Sequence, residues 1–184
     1  MNQKLKTSIE FTKNLFVTGA FMETSRKVEL EICRHLPKVD QAVVVEFGMG
    51  HGNITQQILN QLSSKSKLYA FEINPDFCEH VKNKINDNRL IIINDGAENL
   101  KLRVTEPIHS VIASIPFTFF SKEKAMGIIQ DAYDSLVDQG YFSQVLYTRF
   151  NFRKFKKIFD ECEILKVPNI PTEYVYHCKK NTLR

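Results

Sequence analysis

Residues 43–53 read VVVEFGMGHGN: an apolar run, an acidic residue and three glycines at alternate positions. The run from Val43 to Phe47 has the apolar character of a central parallel strand that is covered on both faces. Glycines permit positive φ, and they let a ligand lie against bare backbone where any Cβ would intrude. The stretch therefore predicts a buried strand, a tight ligand-binding turn and a helix from Ile54 to Leu62, whose first amides point back at the loop.

A second apolar run, Leu68 to Phe71, ends at Glu72. A carboxylate about twenty residues past such glycines can accept both ribose hydroxyls of an adenine nucleoside. The spacing G-x-G-x-G, with Glu46 two residues before Gly48, differs from the G-x-G-x-x-G of pyrophosphate-binding folds. We therefore predict S-adenosylmethionine rather than NAD as the ligand. An ordinary strand-turn-helix with glycines for packing is the alternative.

This pattern resembles the first motif of the class I methyltransferases, an acidic residue followed by G-x-G-x-G. The resemblance implies that Asp95, after the third strand, accepts from the adenine amino group; a turn cap is the alternative for this residue. The expected cofactor-binding residues are Gly19, Glu46, Gly48, Gly50, Gly52, Asn53, Glu72, Ile73, Asp95, Gly96, Ala97 and Ser114.

The length of 184 residues suits one domain. We expect residues 1–184 to form a single methyltransferase domain, with an N-terminal helical extension over 1–37 and a Rossmann-like core over 38–184. The four cysteines and five histidines are scattered without a C-x-x-C pair, which predicts free thiols and no metal. No stretch has the length of a transmembrane helix or the form of a signal peptide, so we expect a cytoplasmic protein, or one peripheral on the inner face of the membrane.

The pattern of apolar residues predicts an α/β fold: a seven-stranded, mostly parallel Rossmann-like sheet with helices on both faces and an N-terminal helical lid. A helix from Thr24 to Leu36 precedes the first strand, and Asn74-Pro75 starts another. The later elements are strands Leu90–Ile93 and His109–Ala113, a helix Ser121–Val137 ended by Gly140, a strand Tyr141–Tyr147, a helix Arg149–Phe159, and an antiparallel pair Glu163–Val167 and Tyr174–Cys178.

Two segments outside the glycine motif bear on partners. Residues 1–17 are predicted to form an amphipathic helix that lies on a membrane surface, covers the substrate pocket or packs in the core. Basic residues cluster between Arg149 and Lys157, where they could meet phosphate of a lipid headgroup or of RNA, or form a solvated helix face.

The fourth strand leads into Ser114-Ile115-Pro116-Phe117. This resembles the [Asn/Asp/Ser]-x-Pro-[Tyr/Phe] motif of amino methyltransferases, which implies a nitrogen target. Ser114 would accept a hydrogen bond from the amine, and Phe117 would stack on it; an apolar start of a helix is the alternative for Phe117. Tyr147 completes the expected catalytic set, and either Tyr147 or water is expected to orient and deprotonate the amine.

Two families share these motifs. The ribosomal RNA adenine dimethylases carry Asn where this chain has Ser114. The bacterial phospholipid N-methyltransferases resemble the chain over nearly its whole length, including Thr18-Gly19-Ala20, Tyr147-Thr148 and Asn169-Ile170-Pro171. That resemblance implies methylation of phosphatidylethanolamine-type lipid at a membrane surface. Methylation of adenine N6 in RNA and a non-catalytic S-adenosylmethionine-binding module are the alternatives.

Overall fold

The computed structural model describes residues 25–117, 120–149, 151–169 and 172–181. Within these ranges strands and helices alternate, as in open α/β sheets. The helices are α1 (Arg26–Ile32), α2 (Asn53–Leu59), α3 (Pro75–Lys84), α4 (Leu100–Arg103), α5 (Lys122–Ser135) and α6 (Phe152–Phe155), with a 3-10 turn over Ala97–Asn99. The strands are β1 (Val43–Phe47), β2 (Lys67–Phe71), β3 (Leu90–Ile93), β4 (Ile108–Ala113), β5 (Leu136–Leu146), β6 (Glu161–Val167) and β7 (Glu173–Lys179).

The seven strands form one sheet in the order β3-β2-β1-β4-β5-β7-β6. Strands β1 to β5 are parallel to one another, and β7 runs antiparallel to both β5 and β6. The predicted seven-stranded, mostly parallel sheet is confirmed. Because the strand order reverses between β1 and β4, the carboxyl ends of these two strands flank a crevice, the usual ligand position in such sheets.

Three helices begin at polar caps that the sequence supplies. The Ser25 hydroxyl accepts from the Val28 amide at 3.4 Å, and the Asn74 side chain accepts from the Asp76 amide at 3.0 Å. The Ser121 hydroxyl accepts from the Lys124 amide at 3.2 Å. Each cap satisfies a backbone amide that has no partner within its helix, which fixes where the helix starts.

Apolar side chains cover the sheet on both faces. Alternate residues of β1 point to opposite sides, so Val44 packs with α1, α2 and α3, whereas Val45 and Phe47 pack with α4 and α5. Four apolar residues of α1 and of the turn that follows it are buried against the sheet: Val28, Ile32, Cys33 and Leu36.

Helices α1 and α2 are each shorter than predicted. Helix α1 ends at Ile32 rather than Leu36, and its last turn tightens because the Arg34 and Leu36 amides bond to carbonyls only three residues back. Helix α2 begins at Asn53 and ends at Leu59 rather than Leu62. Both differences lie at helix ends, where packing rather than propensity decides the boundary.

The predicted boundary between the helix Ser121–Val137 and the strand Tyr141–Tyr147 is wrong. Helix α5 stops at Ser135, and β5 already begins at Leu136, so Gly140 lies within the strand instead of ending a helix. Gln139 has a φ of 62°, and the pairing of β4 with β5 shifts register between Ile108 and Ser110. This irregularity lets the strand continue past residues that lack strand propensity.

The predicted helix from Arg149 to Phe159 is also wrong. Among the described residues of this range, only Phe152–Phe155 are α-helical, and the following amides of Lys157 and Ile158 bond to carbonyls three residues back. Phe155 and Phe159 are buried in the aromatic core on the α5 side of the sheet. Packing of these rings against the sheet therefore replaces a regular helix with a series of tight turns.

The predicted N-terminal helix over residues 1–17 and the turn at Gly19 lie outside the described residues. Within the described ranges, no helix is long and apolar enough to cross a membrane.

Candidate active site

The glycine loop between β1 and α2 has three residues at positive φ. Gly48, Gly50 and Gly52 have φ of 79°, 49° and 81°. A Cβ at Gly48 would lie 2.9 Å from Ile115 Cγ2, and one at Gly52 would lie 3.0 Å from Val81 Cγ2. A Cβ at Gly50 would meet no described atom within 4 Å. Gly48 and Gly52 thus permit close packing within the fold, whereas Gly50 leaves backbone exposed to open space where a ligand can lie.

Glu72, at the end of β2, holds this loop in place. Its Oε2 accepts from the Gly50 amide at 3.1 Å, and its Oε1 accepts from the Asn74 amide at 2.8 Å. Burial raises the pKa of this carboxyl group, and hydrogen bonds from the backbone of Asn74, Gly50 and Ile73 oppose that rise. A carboxylate beside exposed loop backbone fits the predicted ribose acceptor, because each of its oxygens has a further lone pair to offer.

Glu46 lies deeper beneath the loop and is 1% exposed. Its Oε2 accepts from the Thr55 hydroxyl at 2.7 Å, whereas its Oε1 has no hydrogen-bond partner among the described residues. Burial raises the pKa of Glu46 to about 8, although the hydrogen bond from Thr55 lowers it. An unpartnered buried acceptor is unfavourable unless a donor arrives, so the site suits a cationic ligand group such as the ammonium of S-adenosylmethionine.

Asp95, after β3, has internal partners for both oxygens. Its Oδ1 accepts from the Gly96 amide at 2.8 Å and from Asn99 Nδ2 at 2.7 Å, and its Oδ2 pairs with Arg103 Nη2 at 2.7 Å. Burial raises the pKa of Asp95, but these hydrogen bonds outweigh it and the pKa is lowered. This is the turn-capping arrangement that the sequence offered as the alternative; the contact with adenine stays a prediction.

The other predicted cofactor residues surround the same sheet edge. Asn53 begins α2, and its Oδ1 accepts from Lys84 Nζ at 3.2 Å. Ile73 is partly buried after Glu72, and Ala97 is buried after Gly96. Gly19 lies outside the described residues.

The acceptor motif after β4 is tied to the glycine loop through Ser114. The Ser114 amide donates to the Phe47 carbonyl at 2.9 Å, and its hydroxyl donates to the Gly48 carbonyl at 2.7 Å. Because its hydrogen is used in this bond, the hydroxyl oxygen can still accept from an incoming N–H group.

Phe117 points into the core rather than toward an open site. It is fully buried, and its ring meets those of Phe120 and Phe155 edge-on at centroid distances of 5.7 and 5.5 Å. This placement agrees with the alternative, an apolar residue that supports the fold. Stacking of Phe117 on the acceptor finds no support in these contacts.

Two residues that the sequence analysis did not select lie at the same edge. Gln144 of β5 is buried, and its Nε2 donates to the Ile115 carbonyl at 3.1 Å, which fixes the loop after β4. The Oε1 atom of Gln144 has no partner among the described residues. Glu173 begins β7, is 1% exposed, and accepts from Asn169 Nδ2 at 2.8 Å. In the sequence, the only signal for Glu173 is its position just before an apolar strand. Its place in the site depends on the pairing of that strand with β5, which the local sequence does not show.

Glu173 and Tyr147 are neighbours across β5 and β7. Leu146 pairs with Tyr174, so the residues that flank this pair, Tyr147 and Glu173, lie across from each other at the carboxyl edge. Burial and the charge of Glu173 raise the pKa of the Tyr147 phenol, which is 38% exposed. Burial also raises the pKa of Glu173. Since a phenol with a raised pKa stays protonated near pH 7, Glu173 is the better proton acceptor of the two.

Comparisons with known proteins concern the family and the fold of the chain. The model of the family described as "Ribosomal RNA adenine dimethylase" matches residues 11–122. The ornithine lipid N-methyltransferase of Singulisphaera acidiphila is 25% identical over 153 residues, which cover 79% of this chain and 80% of that protein. The "Probable ribosomal RNA small subunit methyltransferase A" of Methanococcoides burtonii is 28% identical over 134 residues, 65% of this chain but 45% of that protein. The chain thus spans less than half the length of this second relative.

Among solved structures, the N-methyltransferase NodS of Bradyrhizobium japonicum, in complex with S-adenosyl-L-homocysteine, has a TM-score of 0.66. The two are 9% identical, and the match covers 84% of this chain and 86% of that one. At this identity the likeness concerns the fold.

Proposed function

The chain belongs to the ribosomal RNA adenine dimethylase family and is an S-adenosylmethionine-dependent methyltransferase; from this premise we propose that its methyl acceptor is the amine of a lipid headgroup, of the phosphatidylethanolamine or ornithine lipid type. The cofactor supplies an electrophilic methyl carbon on a sulfonium. The residues of the chain must then bind the cofactor, orient the amine and free its lone pair.

The observation that carries the proposal is the single hydroxyl of Ser114 at the acceptor position. An Asn there offers both an acceptor and donors, which can pair with the amino group and a ring nitrogen of adenine together. The Ser114 hydrogen is used by the Gly48 carbonyl at 2.7 Å, so only an acceptor oxygen remains. One acceptor is enough to orient an aliphatic amine.

The extent of the similarities favours the same acceptor class. The match to the ornithine lipid N-methyltransferase covers 80% of that protein, whereas the match to the ribosomal RNA enzyme of Methanococcoides burtonii covers 45% of it. The chain therefore resembles most of a lipid enzyme and a part of an RNA enzyme.

Glu173 supplies the proton acceptor in this proposal. An aliphatic amine has a pKa of about 10 and arrives as an ammonium without a lone pair. A buried carboxylate attracts that cation and takes its proton, and the raised pKa of Glu173 makes it a stronger base than an exposed glutamate. Tyr147, which is exposed beside it, orients the amine.

We assign the cofactor to the glycine loop. The loop backbone around Gly50 lies along the cofactor, Glu46 Oε1 accepts from its ammonium group, and Glu72 accepts from the ribose. The adenine end lies beside Ile73, Asp95, Gly96 and Ala97. In this assignment residues 1–184 form one domain, and residues 1–17 cover the acceptor pocket or lie on the membrane.

Radiolabel transfer from S-adenosylmethionine tests the acceptor. Three substrates are compared: anionic vesicles with phosphatidylethanolamine, the same vesicles with ornithine lipid, and ribosomal RNA. Vesicles with phosphatidylcholine are the matched control, because its nitrogen is already fully methylated. We expect label in an amine lipid and none in the control.

Adenine N6 methylation is the second candidate, and the family model favours it. Label in RNA with none in either amine lipid would replace the lipid proposal by this one. Cofactor binding without transfer to any of the three would contradict both.

A further inference from the structure

A cluster of metal-ligating side chains lies away from the glycine loop, where the turn after α1 covers β6 and β7. Its members are His35, Glu163 and His177, and one donor atom of each lies within 4.8 Å of the others. The scattered histidines predicted no metal, because these residues are far apart in the sequence. The fold brings them together.

Strand register places two of the ligands side by side. His177 of β7 lies directly opposite Glu163 of β6 and, on its other side, opposite Ser143 of β5. The three side chains therefore share one face of the sheet. His35 reaches this face from the turn after α1, and its ring stacks on Tyr141 at a centroid distance of 4.1 Å and an interplanar angle of 2°. Rigid elements thus position both imidazoles.

Two of the donor separations are close to those of a tetrahedral zinc site. His35 Nε2 lies 3.4 Å from Glu163 Oε1, and His177 Nε2 lies 3.2 Å from Oε1 of a fourth residue, Glu31 of α1. With zinc–nitrogen and zinc–oxygen distances of about 2.0–2.1 Å, neighbouring ligands in a tetrahedron are about 3.3 Å apart. The other separations within the group of His35, Glu163 and His177 are at most 4.8 Å, so side-chain rotations would have to close these gaps.

Ser143 orients the buried ligand. The His177 side chain is fully buried, and its Nδ1 lies 2.8 Å from the Ser143 hydroxyl. A hydrogen bond at Nδ1 directs Nε2 toward the other donors, as outer partners of metal-bound histidines do.

Charge at the cluster also favours a cation. Glu31 and Glu163 carry two negative charges, and among the described residues Arg34 is the cation paired with them, at 2.7 Å from Glu31 and 3.6 Å from Glu163. The Glu163 side chain is 52% exposed, so it can leave its long contact with Arg34 at little cost.

We infer that His35, Glu163 and His177 bind one divalent transition metal of the zinc class, with Glu31 as the fourth ligand. Imidazole and carboxylate donors suit zinc and not magnesium, which requires oxygen ligands in octahedral geometry. The metal would join the turn after α1 to β6 and β7, and so connect the start of the described chain to its last two strands.

Titration of untagged, chelator-treated protein tests this site without cofactor or acceptor, so the result does not depend on the proposed function. Calorimetry with ZnCl2 should give one zinc per chain. At about a hundredfold excess over Kd, zinc should raise Tm by about 5–10 °C, and MgCl2 should not.

Variants locate the site. His35→Ala and Glu163→Gln should each weaken zinc binding at least about tenfold, and Arg34→Gln should tighten it because the competing cation is gone. His80→Ala and Glu79→Gln, on exposed positions of α3, are the matched controls and should change nothing. Metal-free Tm of each variant shows whether it folds.

Three results would overturn the inference. The first is no zinc-specific rise in Tm of the wild-type protein, and the second is full retention of binding in both His35→Ala and Glu163→Gln. The third is loss of binding in His80→Ala, which would place the zinc near the neighbouring rings of His51 and His80.

Discussion

The Ser114 hydroxyl donates a hydrogen bond of 2.7 Å to the Gly48 carbonyl. This bond joins the acceptor motif after β4 to the first glycine of the cofactor loop after β1. The loop after β1 and the loop after β4 are therefore fixed relative to each other by the side chain that we propose as the hydrogen-bond acceptor for the amine.

Removal of this hydroxyl tests its role. Ser114→Ala should lower kcat by about 10- to 100-fold, the effect of one lost hydrogen bond to a polar or charged group, with cofactor affinity nearly unchanged. Steady-state kinetics and calorimetry measure the two quantities. The control is Ser110→Ala on β4, the strand that precedes Ser114. The buried Ser110 hydroxyl has no partner among the described residues, so this variant should leave kcat unchanged. Equal losses of kcat and cofactor affinity in Ser114→Ala would contradict a role in acceptor binding.

Two glycines of the loop should respond differently to alanine. Gly50→Ala meets open space, so it should lower the free energy of unfolding by only about 1–2 kcal/mol through its positive φ, yet weaken cofactor binding at least tenfold by intruding on the ligand. Gly52→Ala adds a contact of 3.0 Å with Val81, so it should destabilise the fold by about 1–3 kcal/mol more. Urea unfolding and calorimetry distinguish them. Normal cofactor affinity in Gly50→Ala would place the ligand elsewhere.

Burial of Glu46 predicts a pH-dependent stability. Its pKa is 4.5 ordinarily and about 8 in the folded chain, so between these values the folded state binds more protons than the unfolded state. The free energy of unfolding should therefore fall as pH rises from about 5 to 8, by at most about a few kcal/mol. Glu72 contributes in the same direction.

The variant Glu46→Gln tests this source. Its amide side chain cannot titrate, so the variant should flatten the slope of stability against pH and also weaken cofactor binding. Urea unfolding at several pH values measures the slope; an unchanged slope in Glu46→Gln would show that Glu46 is not its source.

Glu72→Ala should weaken S-adenosylmethionine binding by about 1–3 kcal/mol, the scale for ribose hydroxyls left without a charged acceptor. It should also lower the free energy of unfolding, because the Gly50 and Asn74 amides lose their acceptor. The exposed Glu79→Ala on the following helix is the control. Calorimetry on folded Glu72→Ala that gave wild-type affinity would end the ribose assignment.

Glu173→Gln tests the proton acceptor. If the ionised carboxylate takes the proton of the ammonium, kcat should fall by about 10²- to 10⁴-fold, and the acidic limb of the pH–rate profile should disappear. Tyr147→Phe keeps the ring and the carboxylate, so it should retain this limb with a smaller loss of kcat. An unaltered acidic limb in Glu173→Gln would assign the proton transfer to another group or to water.

Local sequence determined the cofactor half of the site. Val43 to Gly52 and Glu72 were identified because an apolar strand, three positive-φ glycines and a carboxylate at the end of the next strand are all short-range patterns. The caps at Asn74 and Ser121 follow from the same kind of rule, since a polar side chain bonds to an amide two or three residues away.

Tertiary structure decided the rest. The sequence shows that Phe117 and Phe155 are apolar but not that their rings pack together. This packing in the core outweighs the local helix propensity after Arg149. Glu173 lies at the carboxyl edge of β5 because β7 runs antiparallel to β5. The side chains of His35, Glu163 and His177 lie close together because of the register of β6 and β7 and the position of the turn after α1. Contacts between residues on different elements depend on strand order and direction, which no local pattern of side chains encodes.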